Sequence, residues 1–162
     1  MNTTSIIEIT NKSLVICDPY SIKEYRVTLP IPNGRYVVKQ FKLNNGEISH
    51  ITIYDIFGQI HYPSIETDLL NAPRIPNILY VKNNIVGIFN DHQSVKIFEQ
   101  DEKPIVTETT NYVTAKLNFN GMFAIKGIKE KNNLIGLLIQ IIETNESYDD
   151  DFEDDEMEDE DE

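Results

Sequence analysis

Between residues 34 and 42 apolar and polar positions alternate with a period of two. Tyr36, Val38 and Gln40 fall on one face, and Val37, Lys39 and Phe41 on the other. This is the period of a β-strand, and no helical spacing of three and four competes with it. Asn33-Gly34 precedes the run and Asn44-Asn45-Gly46 follows it. Asn and Gly tolerate positive φ, so both predict tight turns. The chain returns through residues 48–57, with Ile51, Ile53 and Asp55 opposed to Thr52, Tyr54 and Ile56. The same arrangement recurs later: Asn120-Gly121, an alternating run to Lys129, Asn132-Asn133, then Ile135, Leu137 and Ile139 on the way back.

Shorter β-branched runs at residues 5–10 and 13–17 flank Asn11-Lys12, which predicts a hairpin between them. Asp18-Pro19 ends the second run, because proline lacks the N–H that a ladder needs. Further strands are expected at residues 25–29, 60–62, 78–82, 85–90, 94–99, 104–108 and 112–119. Pro63, Pro73 and Pro76 frame an insert at residues 63–77, where Ser64 followed by Glu66 and Asp68 predicts one or two helical turns. No other helix is expected.

Many short strands with Asn and Gly turns argue for an all-β sandwich or small barrel. Residues 11–18 have a looser echo in residues 83–91, in the same order relative to their Asn-Gly hairpins. The expectation is a single domain over residues 1–146 built from duplicated β-hairpin units, 5–62 and 78–143, joined by the 63–77 insert. Each unit would supply one sheet. Tyr36, Val38, Ile51 and Ile53 would then face Phe123, Ile125, Leu137 and Ile139 across the core.

Charge changes this picture only at one end. The chain has 27 acidic and 14 basic residues, a net charge of −13. Twelve of the acidic residues lie between Asp149 and Glu162, where there is no lysine or arginine. The remaining 148 residues are close to neutral. Such a tail, residues 147–162, cannot bury enough apolar surface to offset its ordering entropy and is expected to be disordered. Tyr148 and Phe152, with Asp149, Asp150, Asp151 and Glu153 around them, are the candidate contacts to a basic protein partner. The plainer role for the tail is solubility. The amino-terminal residues carry no basic and apolar leader pattern and no apolar run approaches the ~20 residues of a membrane span, so an intracellular (cytoplasmic) protein without membrane attachment is expected.

Candidate chemistry is sparse. His50, His61 and His92 lack the spacing of a metal site, and the single cysteine, Cys17, permits neither a zinc cluster nor an intrachain disulfide. His50 is expected to be exposed and His92 to belong to a turn. Cys17 and Asp18 point to opposite faces of a strand, so the thiol reads as a small buried apolar group. Asp18 and Asp91, matched in the two units, are expected to bond turn backbone. Lys39, Lys42, Lys126 and Lys129 form a matched set expected to guard strand edges. Scattered basic residues beside an acidic tail disfavour nucleic acid. No catalytic, cofactor-binding or metal residue is assigned, and no cofactor is expected.

Three stretches carry a resemblance: Leu14-Val15-Ile16-Cys17-Asp18-Pro19-Tyr20, Gly34-Arg35-Tyr36-Val37-Val38, and Gly121-Met122-Phe123-Ala124-Ile125. They resemble uncharacterised all-β families common in bacteria, which carry an apolar-Asp-Pro strand end, a Gly-x-Tyr-x-Val strand and a closing Gly-Asp-Gly-x-Tyr-x-Val hairpin. This chain departs from that pattern with Asn120 in place of Asp and Phe119 in place of Gly. The resemblance implies an all-β fold and carries over no functional residue. The functional expectation is a non-enzymatic protein-binding module. The alternative suggested by the resemblance is an antitoxin-like immunity protein that occludes a basic toxin.

Overall fold

A computed structural model describes residues 2–56, 63–100 and 111–142, the side chains of residues 99 and 100 excepted. In chain order the elements are β1 (Thr3–Ile9), β2 (Ser13–Cys17), a 3₁₀ turn (Lys23–Tyr25), β3 (Val27–Pro30), β4 (Gly34–Lys42), β5 (Ile48–Asp55) and α1 (Ile65–Leu70). There follow β6 (Arg74–Val81), β7 (Ile85–Phe89), α2 (His92–Gln100), β8 (Tyr112–Lys116), β9 (Gly121–Glu130) and β10 (Asn133–Gln140). The strands form two antiparallel sheets packed as a sandwich, a six-stranded one in the order β1-β4-β5-β10-β9-β6 and a four-stranded one in the order β3-β2-β7-β8.

Both predicted hairpins are present. Asn44-Asn45-Gly46 turns β4 into β5 with Gly46 at φ 89°, closed by Leu43 N–H to Glu47 O at 2.8 Å. Lys131 (φ 51°) and Asn132 (φ 70°) turn β9 into β10. Two consecutive left-handed residues make the tight turn whose twist matches antiparallel strands. Alternation decides what is buried. Tyr36, Val38, Ile51 and Ile53 face the core with Phe123, Ile125, Leu137 and Ile139. Leu14, Ile16, Leu29, Val86 and Ile88 meet them from the smaller sheet. A fully buried Ile or Leu is worth roughly 1.5–3 kcal/mol. The surface ion pair Lys39–Glu66 (3.2 Å), with both side chains more than a quarter exposed, contributes about 0.5 kcal/mol. Core burial therefore dominates.

The repeat was expected to place one hairpin in each sheet, and this is corrected. The two hairpins lie side by side in one sheet, where β5 pairs with β10. Every described strand has a counterpart: exchanging β1 to β5 with β6 to β10 turns each sheet order into its own reverse. Register agrees. Ile9 pairs with Gly34 as Val81 pairs with Gly121, and Leu14 with Leu29 as Val86 with Ala115. The middle of each sheet joins counterparts directly, Ile16 to Ile88 and Thr52 to Leu138. The matched turns repeat even their side-chain bonds: Asn33 Oδ1 accepts from Lys12 N–H at 2.6 Å, and Asn120 Oδ1 from Asn84 N–H at 2.7 Å. Lys12 (φ 54°) and Asn84 (φ 57°) share the same left-handed backbone.

Asn11-Lys12 is accordingly not a hairpin. It is a corner that moves the chain from the larger sheet to the smaller one, since β1 pairs with β4 and β2 with β3 and β7. The reason lies in β2, which is buried on both faces. Leu14 and Ile16 enter the core, while Val15 and Cys17 pack under α2. The expected strand at residues 94–99 is also corrected: it lies inside α2. Val95 and Phe98 are buried three residues apart, whereas Ile97 is 43% exposed. Asp91 Oδ1 accepts from Ser94 N–H at 2.8 Å, an N-cap that satisfies a free first-turn donor. The insert helix is present as α1, with Ser64 at its N-cap position. The strand after it begins at Arg74 rather than Ile78, and its pairing with β9 shifts between those two residues, around Pro76. The strands expected at 60–62 and 104–108, His61, and the tail with Tyr148, Asp149, Asp150, Asp151, Phe152 and Glu153 lie outside the described residues. No described helix is long and apolar enough to cross a membrane.

Among the described residues, each outer sheet face carries one helix. Ile65 and Leu69 of α1 pack on Val37, Tyr54 and Leu138. Beneath α1, Thr52 is fully buried on β5 and its Oγ1 has no described hydrogen-bond partner. A methyl group of the same shape removes that desolvation penalty. Thr52→Val is therefore expected to stabilise the protein by about 1 kcal/mol in urea unfolding. A destabilised variant would mean that the hydroxyl is satisfied.

Candidate functional site

Two groups of polar side chains have the chemistry of a site, those on the outer face of the larger sheet and those of a cleft at one end, and the first of them is structural. On the outer face of the larger sheet, Glu66 of α1 accepts from Tyr54 Oη at 2.7 Å and from Lys39 Nζ at 3.2 Å. Lys126, the counterpart of Lys39, donates to Leu70 O at 2.8 Å. Two matched lysines thus grip the two ends of α1. They sit on β4 and β9, which are interior strands, so guarding edges is not their role. Burial, then the bond to Glu66, raises the Tyr54 pKa above its ordinary value. His50 is half-buried rather than exposed. It stacks on Phe41 with ring centroids 4.4 Å apart, and desolvation lowers its pKa. His92 opens α2, with Nδ1 3.2 Å from an Arg26 guanidinium nitrogen and Nε2 3.2 Å from Thr28 Oγ1. Burial and the positive charge of Arg26 and Lys23 lower its pKa. His50 on one sheet and His92 beside the other do not converge. Among the described residues no group of three His, Cys, Asp or Glu side chains is placed to hold a metal. Cys17 is buried in the α2 cluster, as its strand position predicted.

The second group lines a cleft of about 520 Å³ at one end of the sandwich. The β3–β4 connection (Leu29 to Asn33) forms one wall, and the start of β6 (Ile75, Pro76, Asn77) another. The β9–β10 hairpin supplies Lys129, Asn132, Asn133 and Leu134, and the first corner supplies Lys12. The lining thus combines two lysines, four asparagines, three prolines and aliphatic side chains, with no carboxylate among the described residues. The prolines suit this position. They cannot donate to a ladder, so they end β3 and disturb the edge of β6, leaving the space between them unfilled by strand.

The matched end of the other half is built differently. By register, Lys129 corresponds to Lys42, since each pairs across its hairpin with the matched residues Leu134 and Ile48. Asn133 then corresponds to Glu47, and Pro32 to Asn118. Glu47 bridges two amides at the surface of its end of the sandwich. Its Oε2 accepts from Asn118 Nδ2 at 3.2 Å and its Oε1 from Asn45 Nδ2 at 2.8 Å. These two amides hold the Glu47 carboxyl below its usual pKa. In the cleft both partners of that bridge are missing, replaced by Asn133 and Pro32, and Lys12 stands where the other half has Asn84.

Sequence reading identified Lys129 as one of a matched set but not the cleft. The signal was available in the repeat, as the difference between Glu47 and Asn133. What it lacked was the register that makes those positions counterparts. Neither family models, nor curated proteins, nor solved structures yield a match to the chain.

Proposed function

We propose that this protein is a binding module, not an enzyme, and that the cleft receives an extended acidic segment of a partner protein. One observation carries the reading: one end holds its own carboxylate on two amides, whereas the matched end is a cleft lined by two lysines and four amides, with no carboxylate among the described residues that line it. Asparagine amides and lysines donate to carboxylates, and the exposed prolines with Ile75 and Leu134 offer an apolar floor to a side chain between them. The partner favoured by this surface is acidic, whereas the tail by itself suggested a basic one.

A test uses ¹⁵N-labelled full-length protein and a synthetic peptide of alternating Asp and Glu with one central Phe. At millimolar peptide and low salt, amide shifts are expected to concentrate at Asn33, Asn77, Lys129 and Asn133. Lys12→Glu with Lys129→Glu should weaken binding at least about tenfold, as should raising salt to 1 M, because a rim charge pair is screened. Unchanged binding in the double variant overturns the assignment.

We also infer that the two halves arose by duplication. The support is the reversed strand order, the shared register and the repeated Asn33 and Asn120 turn bonds. Because β5·β10 and β2·β7 join the halves, fragments 1–62 and 63–162 are expected to associate when co-expressed. Fragments that fold separately and ignore each other would count against it.

A further inference from the structure

We propose that the resident occupant of the cleft is this chain's own acidic segment, residues 149–162, which folds back over Lys12 and Lys129 and competes with the partner. The inference rests on the reading that the cleft takes an acidic segment, and adds a regulatory consequence to it.

Three observations support the assignment. The first is charge: twelve carboxylates without a base follow a domain that is nearly neutral, so attraction depends on where cations lack partners rather than on net charge. Lys39 is committed to Glu66, Lys126 to a helix carbonyl and Lys82 to the Tyr25 ring. Lys12 and Lys129 line an open space with no carboxylate among the described residues around it. The second is the internal precedent, since Glu47 already places a carboxylate on amides at the matched end. The third is reach. The described chain leaves β10 through Ile142, whose N–H bonds to Ser49 O, at the far end of β10 from Asn133 and Leu134. Strand rise of about 3.3 Å per residue puts the cleft roughly 25–30 Å from Ile142. Ten extended residues cover about 33 Å, so Phe152 and the carboxylates around it arrive at the cleft while nearer residues span the gap. Phe152 is then the side chain for the proline-lined floor.

A short tether gives an effective concentration on the order of millimolar. A tail with an intrinsic Kd about a tenth of that value would occupy the cleft about nine-tenths of the time and raise a competitor's apparent Kd about tenfold.

The test has two arms, both on the full chain. In the first, Glu158→Cys carries a nitroxide; Cys17 is buried, so labelling falls on the introduced thiol. Amide broadening centred on Asn33, Asn77 and Asn133, and lost in the Lys12→Glu, Lys129→Glu background, supports the proposal. Broadening spread evenly, centred near Ser49, or seen only between mixed chains overturns it. In the second arm, the acidic peptide is titrated into the intact chain and into one with every Asp and Glu of residues 149–162 changed to Asn and Gln. About tenfold tighter binding to the neutralised chain is the expected result. Equal binding to both refutes the tail as occupant and leaves the cleft reading intact; shifts at the cleft in neither chain remove both.

Discussion

Replacing Asp18 with alanine is expected to cost about 3 kcal/mol of folding free energy. The carboxylate is 1% exposed and sits at the end of β2. Its Oδ2 accepts from Lys82 N–H at 2.8 Å, Asn83 N–H at 2.7 Å and Asn83 Nδ2 at 3.0 Å, and its Oδ1 from Tyr20 N–H at 3.0 Å. It therefore latches the end of β2 to the corner between β6 and β7, across the boundary between the two halves. Truncation leaves several donors without acceptors in a buried place, and each such group costs about 1–3 kcal/mol unless water reaches it. Asp18→Asn keeps one acceptor but turns an NH₂ toward remaining donors, so about 1–2 kcal/mol is expected. Equilibrium urea unfolding with an unchanged m-value measures both. A loss below about 1 kcal/mol in the alanine variant would show that the latch does not hold the halves together.

The comparison within the molecule explains why a carboxylate is used here. The position matched to Asp18 is Asn90, not Asp91 as the sequence alignment of the halves suggested. Asn90 Nδ2 donates to Glu8 O at 3.2 Å, and its Oδ1 accepts from Ser94 Oγ. Where the neighbours are N–H groups the chain has an acceptor-only side chain. Where a carbonyl must be met it has an amide. Asp91 does bond turn backbone, as expected, but as the cap of α2, and its Oδ2 also accepts from Asn11 Nδ2 at 3.1 Å.

Gly87→Ala is expected to destabilise by about 3 kcal/mol, whereas the same change in an unobstructed strand interior stabilises by about 0.5–1 kcal/mol. A Cβ at this position would lie 2.2 Å from Cε1 of Phe89, whose ring covers the glycine on the same face of β7. The ring cannot step aside cheaply. It is fully buried, with Phe98 at 6.1 Å and Tyr112 at 5.6 Å between centroids, so moving it opens the packing of α2 on the smaller sheet. Overpacking of this kind costs about 1–3 kcal/mol and occasionally more. A double-mutant cycle isolates the cause. Phe89→Ala alone should cost about 3–5 kcal/mol, and adding Gly87→Ala to it should cost under about 0.5 kcal/mol. An undiminished penalty in that background would place the strain in the backbone and not in the ring. Hydrogen exchange offers a second readout, with α2 amides losing protection before those of β4 and β9.

How far the sequence reached can be followed in particular residues. Alternation at Tyr36 to Phe41 and Ile51 to Tyr54 was enough to assign strands, faces and buried side chains, because a strand's two faces are fixed by chain geometry. It was not enough at Val95 to Phe98. There apolar positions fit both a strand and a short helix, and the arbiter was Asp91 capping Ser94, a signal easily missed inside six residues. Asn11-Lys12 carried true turn chemistry, with Lys12 in the left-handed region, yet turn residues say only that the chain bends. Whether the next strand pairs with the previous one or crosses to another sheet depends on which faces of β2 must be covered. The cleft was illegible for a similar reason. Lys12, Pro32, Pro76, Lys129 and Asn133 come from four separate segments of the chain, and nothing local links them.

The sequence by itself determined the all-β class, the two Asn-turned hairpins, the correspondence of their side chains and the concentration of charge after Asp149. These are local properties, set by side-chain period, turn stereochemistry and composition. Only the tertiary structure decided that both hairpins share one sheet, that Ile16 meets Ile88 and Thr52 meets Leu138 at the centres of the two sheets, and that Glu47 binds Asn118 across one end while its counterpart Asn133 lines a cleft at the other. Those facts depend on register between distant strands. Register is chosen by how complete burial becomes when all the faces are packed at once.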